Sequence, residues 1–210
     1  MSYLAVHDPH PQRALMAVLR VLGVDPGSVR TGYGIIERDG TRLRLITAGT
    51  LTAGEKAPLE ERLLTIHTGL VALIEEYAPG AAAVEDIFMA KFPNAALKLG
   101  HARGVALLAI AQAGLAVHPY PPAVVKRSIV GKGAADKTQV ARIVGAMLGL
   151  TELPGIDATD ALAIALTHAQ AARMHAALAP AAKLASAAKS GRPGAPRRAA
   201  KGRPPPKTGR

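Results

Sequence analysis

Leu19-Arg20-Val21-Leu22-Gly23-Val24-Asp25-Pro26-Gly27-Ser28 is an apolar run that stops at an acid and a Pro-Gly turn. The pattern predicts a strand over Leu19–Asp25 with a carboxylate at its C-terminal end. Thr31–Glu37 predicts a second strand, Asp39-Gly40 is a hairpin signal, and Thr41–Thr52 predicts a third. Tight turns make these three strands antiparallel. Pro58–Tyr77 has helical spacing, with Leu59, Leu63, Ile66, Leu70 and Leu73/Ile74 on one face and Pro79-Gly80 as its stop. Ala81–Ile87 is a short buried strand. The helix before it is a crossover, so this strand should lie parallel to the first.

Downstream, Pro93–Ala113 predicts a helix with Pro93 in its first turn. Leu115–Tyr120 predicts a fifth strand, Ala123–Val130 a short helix, Gly131–Ala134 a loop and Asp136–Leu148 another helix. Pro154-Gly155 breaks the chain before a last helix over Asp157–Ala177. The order βββαβαβααα predicts an α/β fold: a five-stranded mixed sheet, three strands antiparallel and then two parallel, flanked by helices. No internal repeat is present.

The chain has 210 residues, with 26 Lys+Arg against 15 Asp+Glu, a formal charge of +11. That balance favours an acidic partner, and nucleic acid is the commonest. The absence of Cys excludes a disulfide scaffold, a Cys-ligated zinc site, an iron–sulfur cluster and a thiol nucleophile. Four Tyr, two Phe and no Trp argue against an aromatic platform for single strands. Nine of the basic residues, and no acid, fall in residues 179–210. This Ala/Pro/Lys/Arg stretch is expected to be a disordered tail. Residues 1–16 are expected to be a disordered extension, with Met16 as an alternative start to Met1, and residues 17–178 one domain. The tail is either a solubilising extension or a DNA-binding arm. Ser190-Gly191-Arg192-Pro193 and Lys201-Gly202-Arg203-Pro204 resemble the Gly-Arg-Pro core of AT-hook peptides, in which Arg192 and Arg203 would enter a minor groove. Arg20 interrupts the apolar run Ala14–Val24, and Gly104–Val117 falls short of the ~20 residues a bilayer needs. A soluble cytoplasmic protein, associated with the nucleoid, is expected.

Acids at the ends of apolar elements carry the chemistry. Asp25 closes the first strand and Glu85 the fourth, in Ala83-Val84-Glu85-Asp86. If those strands are parallel neighbours, two carboxylates point at one place, where open α/β sheets bind ligands. Asp157 and Asp160 stand three apart in the first turn of the last helix and share a face. Taken alone they read more readily as acids favoured by the helix dipole than as ligands. Together, crowded carboxylates repel, and a divalent cation relieves them. An all-oxygen set without Cys selects Mg2+ or Mn2+. Two such ions ~3.5–4 Å apart activate water and stabilise the leaving oxygen of a phosphodiester.

Four stretches in order make the sequence similar to a known family. They are Gly23-Val24-Asp25-Pro26-Gly27-Ser28 with Thr31-Gly32-Tyr33-Gly34, then Val84-Glu85-Asp86-Ile87-Phe88-Met89-Ala90-Lys91. Ala96-Leu97-Lys98-Leu99-Gly100 with Ala102-Arg103-Gly104 and Asp157-Ala158-Thr159-Asp160-Ala161-Leu162-Ala163 follow. The chain resembles the RuvC family of Holliday junction resolvases, of the ribonuclease H-like superfamily, over about residues 17–170. The resemblance implies four acidic metal ligands, on Asp25, Glu85, Asp157 and Asp160. It implies a homodimer that nicks opposed strands of four-way junction DNA by metal-assisted attack of water, leaving 5′-phosphate and 3′-hydroxyl ends. The branch-migration proteins RuvA and RuvB are implied partners. Phe88 is implied to stack on an unpaired base, against the plainer role of core packing. Lys126 and Lys137 are implied to face DNA near the scissile phosphate, with Lys132, Lys91 and Arg103 as further backbone contacts. Gly100 and Gly104 either pack within the subunit or lie near a dimer interface. His168 is read as structural, and His101 receives no role.

Rival readings are separable. An actin-like ATPase would need a second phosphate loop and a second large domain, and only a tail follows the last helix. A non-catalytic junction-binding protein would not need all four acids. Other ribonuclease H-like nucleases cut hybrids or transposon ends with similar acids, and substrate comparison separates those.

Overall fold

The computed structural model describes residues 18–86, 93–133 and 135–190. The expected N-terminal extension, 1–16, lies outside them. The elements are β1 (Leu19–Asp25), β2 (Arg30–Asp39), β3 (Arg42–Thr52), α1 (Leu59–Tyr77), β4 (Ala81–Glu85), α2 (Pro93–Gln112), β5 (Val117–Tyr120), α3 (Pro122–Val130), α4 (Lys137–Leu148) and α5 (Ile156–Ser190). The sheet order is β3-β2-β1-β4-β5. β1–β2 and β2–β3 are antiparallel, whereas β1–β4 and β4–β5 are parallel. The expected mixed sheet is thus the observed one.

Strand parity sorts the core into two layers. In β1, Val21 packs against Leu162, Leu166, Val140 and Val144, on the side of α3, α4 and α5. Leu22 and Val24 pack against Ile66, Leu70 and Ile110, on the side of α1 and α2. Because side chains alternate with period two, Gly23 and Asp25 share the Val21 face. In β4, Ala83 belongs to the α5 layer while Ala82 and Val84 belong to the α1–α2 layer, so Glu85 also faces α5. The same parity places Arg30, Gly32 and Gly34 with Ile36 on that face.

Three glycines let α5 lie directly on the sheet. A methyl carbon on Gly23 would stand 2.1 Å from the carbonyl oxygen of Ala161. One on Gly32 would stand 2.0 Å from that of Asp157, and one on Gly34 2.7 Å from Leu162 Cδ2. No side chain fits there, so the first turns of α5 press onto β1 and β2. The N-terminus of α4 is fixed differently: Asp136 caps it, its carboxylate accepting from the Gln139 amide at 2.8 Å.

Some boundaries differ from expectation. β4 ends at Glu85 and Ile87 lies outside the described residues; β5 begins at Val117, not Leu115. The last helix runs past Ala177 to Ser190, so residues 179–190 of the expected tail are helical. Their sequence is dominated by Ala, the strongest helix former. The chain divides into units at Ala177/Leu178, and the described part of the second unit is this helical stretch. Among the described residues no helix is long and apolar enough to cross a membrane.

Candidate active site

Asp25 and Glu85 meet because their strands are parallel neighbours in register. Val24 stands beside Val84, so the next residue of each strand emerges at the same sheet edge. Both face α5, whose first turns supply Asp160. A cavity of about 310 Å3 opens there, lined by Asp25, Glu85, Asp160, Lys126 and Lys137 over a floor that includes Val125, Val140 and Ile164. α3 contributes Lys126, and α4 contributes Lys137 as its first residue.

The carboxylates are crowded enough to hold a proton. Burial, then the charge and hydrogen bond of Glu85, then the charge of Asp160, push Asp25 up to about 8 from an ordinary 3.8, against the pull of Lys137. Glu85 is raised as well, by burial first and by Asp160, while its hydrogen bond with Asp25 and the charges of Lys137 and Lys126 oppose the shift. Lys137 is held above its usual value by its hydrogen bond to Asp160, with Asp160, Asp25 and Glu85 adding to it. Its ammonium donates to Asp160 Oδ2 at 2.9 Å.

Asp157 lies next to this group but turns elsewhere. Its backbone rests on Gly32, the residue opposite Asp25 in the β1–β2 ladder. Its carboxylate accepts from Arg30 Nε at 2.7 Å. Of the four expected acids, Asp25, Glu85 and Asp160 therefore line one cavity, and Asp157 is paired with the Arg30 guanidinium instead. Among the described residues no three acid or imidazole groups stand grouped to hold one ion. Arg30 is paired with Asp157, and Lys137 with Asp160. The donors nevertheless suit a hard cation. All are carboxylate oxygens, and Asp25 and Glu85, half-buried side by side, are both held above the usual carboxylate range, by burial first and then by neighbouring acids.

The other expected residues separate by location. Lys126 and Lys137 stand on the cavity wall. Lys132 is exposed in the loop after α3. Arg103 is occupied by protein: its Nε donates to the Glu85 carbonyl at 3.1 Å and its guanidinium pairs with Asp86 at 2.9 Å. It braces the end of β4. Phe88, Lys91, Arg192 and Arg203 lie outside the described residues. His168 is buried, stacks on His118 with centroids 4.0 Å apart, and shares a hydrogen bond with the Tyr120 hydroxyl at 2.9 Å. A methyl on Gly100 or Gly104 would meet nothing within 4 Å among the described residues. Sequence reading missed Arg30. Its signal was its parity with Gly32 on β2, legible only once α5 is known to cover that face.

The comparisons with known proteins agree with one another. The family described as crossover junction endodeoxyribonuclease RuvC matches residues 21–168. A protein of that name from Sorangium cellulosum is 49% identical over 181 residues, covering 86% of this chain and 98% of its own length. One from Marinobacter nauticus is 53% identical over 149 residues, covering 71% of this chain and 85% of its own. Among solved structures, Thermus thermophilus RuvC in complex with Holliday junction substrate superposes with a TM-score of 0.71 at 37% identity, covering 75% of this chain and 97% of that one.

Proposed function

The chain belongs to the RuvC family of crossover junction endodeoxyribonucleases, and from that membership we propose which of its residues do the work. The protein is a Holliday junction resolvase, an endodeoxyribonuclease acting on four-way DNA junctions, and like its family it is metal-dependent. Residues 17–178 are its nuclease domain, and 179–210 a basic extension.

Asp25, Glu85, Asp157 and Asp160 hold two Mg2+ ions, with Mn2+ as a substitute. When bound, the metal supplies Lewis-acid charge at the scissile phosphate and a more acidic water. The chain's own residues do the rest. Asp25 and Glu85 fix the position of the site through two adjacent strand ends. Lys137 and Lys126, on the cavity wall, place positive charge where the phosphate gains negative charge. Arg103 holds the end of β4 so that Glu85 keeps its aim. The products are 5′-phosphate and 3′-hydroxyl ends on two opposed strands.

Phe88 stacks on an unpaired base, Lys91 and Lys132 contact the backbone, and Arg192 and Arg203 in the tail add minor-groove contacts. The active assembly is a homodimer with one site per subunit. Support comes from α2, whose exposed Leu97, His101, Gly104 and Leu108 form a face with no partner in the subunit among the described residues. RuvA and RuvB are its branch-migration partners, in the cytoplasm at the nucleoid.

One observation carries the reading: Asp25 and Glu85 leave neighbouring parallel strands into one cavity that Asp160 also lines. The test compares cleavage of a four-way junction, a linear duplex and an RNA–DNA hybrid in Mg2+, with Asp25→Asn as control. The reading expects the junction to be cut in preference, and Asp25→Asn to bind it without cutting. Equal cleavage by the variant overturns the assignment of Asp25.

A further inference from the structure

We propose that Arg30 is a positioning residue for the metal site: it latches Asp157 away from Asp25 and Glu85 until a backbone phosphate of the bound strand takes its guanidinium. The inference rests on the assignment of Asp157 to the metal-binding set. The root of Asp157 is already in place. Its Cβ lies 3.2 Å from where a methyl on Gly32 would stand, and Gly32 is the ladder partner of Asp25. Adjacent strands lie only ~5 Å apart, so a side-chain rotation suffices to bring the Asp157 carboxylate to the Asp25 side. In the structure the carboxylate is instead held by Arg30 Nε at 2.7 Å.

The latch is placed to sense DNA. Arg30 shares the α5 face of β2 with Gly32, the ladder partner of Asp25, two residues from the strand position beside that carboxylate. Its side chain is 61% exposed, and Asp157 is its one partner among the described residues. A guanidinium with free N–H groups suits a phosphate, which it can take in a bidentate grip. The existing pair is exposed and therefore weak, favouring the latched arrangement by about two- to fivefold. A phosphate delivered by junction binding can displace it. Lys137 on Asp160 is the same arrangement on the next turn of α5. Binding of the correct strand thereby completes the ligand set, which in free protein is incomplete most of the time.

The test uses metal binding without DNA. Mn2+ affinity is measured by titration calorimetry on the full chain for wild type, Arg30→Ala, Arg30→Lys, Asp157→Asn and the double variant Arg30→Ala/Asp157→Asn. The latch predicts that Arg30→Ala binds Mn2+ about two- to fivefold more tightly than wild type, that Arg30→Lys stays near wild type, and that the gain vanishes when Asp157 is Asn. An equal gain in the Asp157→Asn background reports only loss of a nearby positive charge and overturns the latch, as does no gain at all. If Asp157→Asn leaves Mn2+ affinity unchanged, Asp157 is not a ligand and the latch falls with that assignment. Junction binding in chelator gives the second readout. Loss of one phosphate contact should make the log–log salt slope of Arg30→Ala shallower by about 0.9, and an unchanged slope overturns the role of the phosphate. Neither measurement depends on cleavage, so the result is separate from that of the substrate comparison.

Discussion

The Asp25 carboxyl keeps its proton to about pH 8 because burial and the adjacent Glu85 disfavour the anion. The sign of its effect on stability follows from linkage. Between the ordinary value of 3.8 and about 8, the folded protein holds a proton that the unfolded chain has released. Without metal, the contribution of Asp25 to stability is therefore present below pH 3.8 and is lost as pH rises towards 8. Asp25→Asn removes that dependence. In chelator the melting temperature of Asp25→Asn, relative to wild type, should climb steadily from pH 5 to pH 8.5, and added Mg2+ should reverse the trend by stabilising wild type alone. A difference that stays flat with pH would contradict the crowding described here. At this scale the sequence showed the type and order of the acids. It did not show that Asp157 is paired with Arg30, nor that Arg103 is spent on Glu85 and Asp86, because such pairings depend on which faces meet across segments far apart in sequence.

The placement of α5 on the sheet sets the geometry of the site at the scale of elements. Gly23, Gly32 and Gly34 are small so that the backbone of the helix can touch β1 and β2. Gly32→Ala would put a methyl 2.0 Å from the Asp157 carbonyl oxygen, and the helix start must then move. The variant should lose about 1–3 kcal/mol of stability by denaturant melt. It should also cut junctions about 100-fold more slowly, since misplacement of that order costs as much. Wild-type cleavage by a folded Gly32→Ala protein would show that the α5 acids need not sit where they do. Periodicity made most elements legible, since β1, β3 and α1 each carry a clean apolar pattern and a turn signal. Its bounds slipped at short or biased stretches. β5 is a four-residue strand containing Pro119, with little pattern to read. The end of α5 lies in an Ala-rich run where helix propensity and tail-like composition point in opposite directions.

At the scale of the whole molecule, α2 presents an apolar, small-residue face. Leu97 is 61% exposed and Leu108 51%, and among the described residues a methyl on Gly100 or Gly104 would meet nothing within 4 Å. A second copy of the chain fits such a face, and two copies would provide the two sites that paired nicking of a four-way junction requires. If the proposed homodimer pairs through this face, Leu108→Asp should shift the protein from dimer to monomer in sedimentation while leaving its melting temperature nearly unchanged, because Leu108 is already exposed in the single chain. Persistence of the dimer would move the interface elsewhere. The sequence showed the spacing of Gly100 and Gly104 but not its use, since a close-packing pair reads alike within and between subunits.

Acids from three separate stretches of chain form one metal site. Crystals of the protein grown with Mn2+ and measured for anomalous scattering test it directly. An anomalous peak is expected in the cavity, with Asp25 and Glu85 both bound to it and Asp160 within reach. Mn2+ bound with full occupancy elsewhere, and no peak between Asp25 and Glu85, would contradict it.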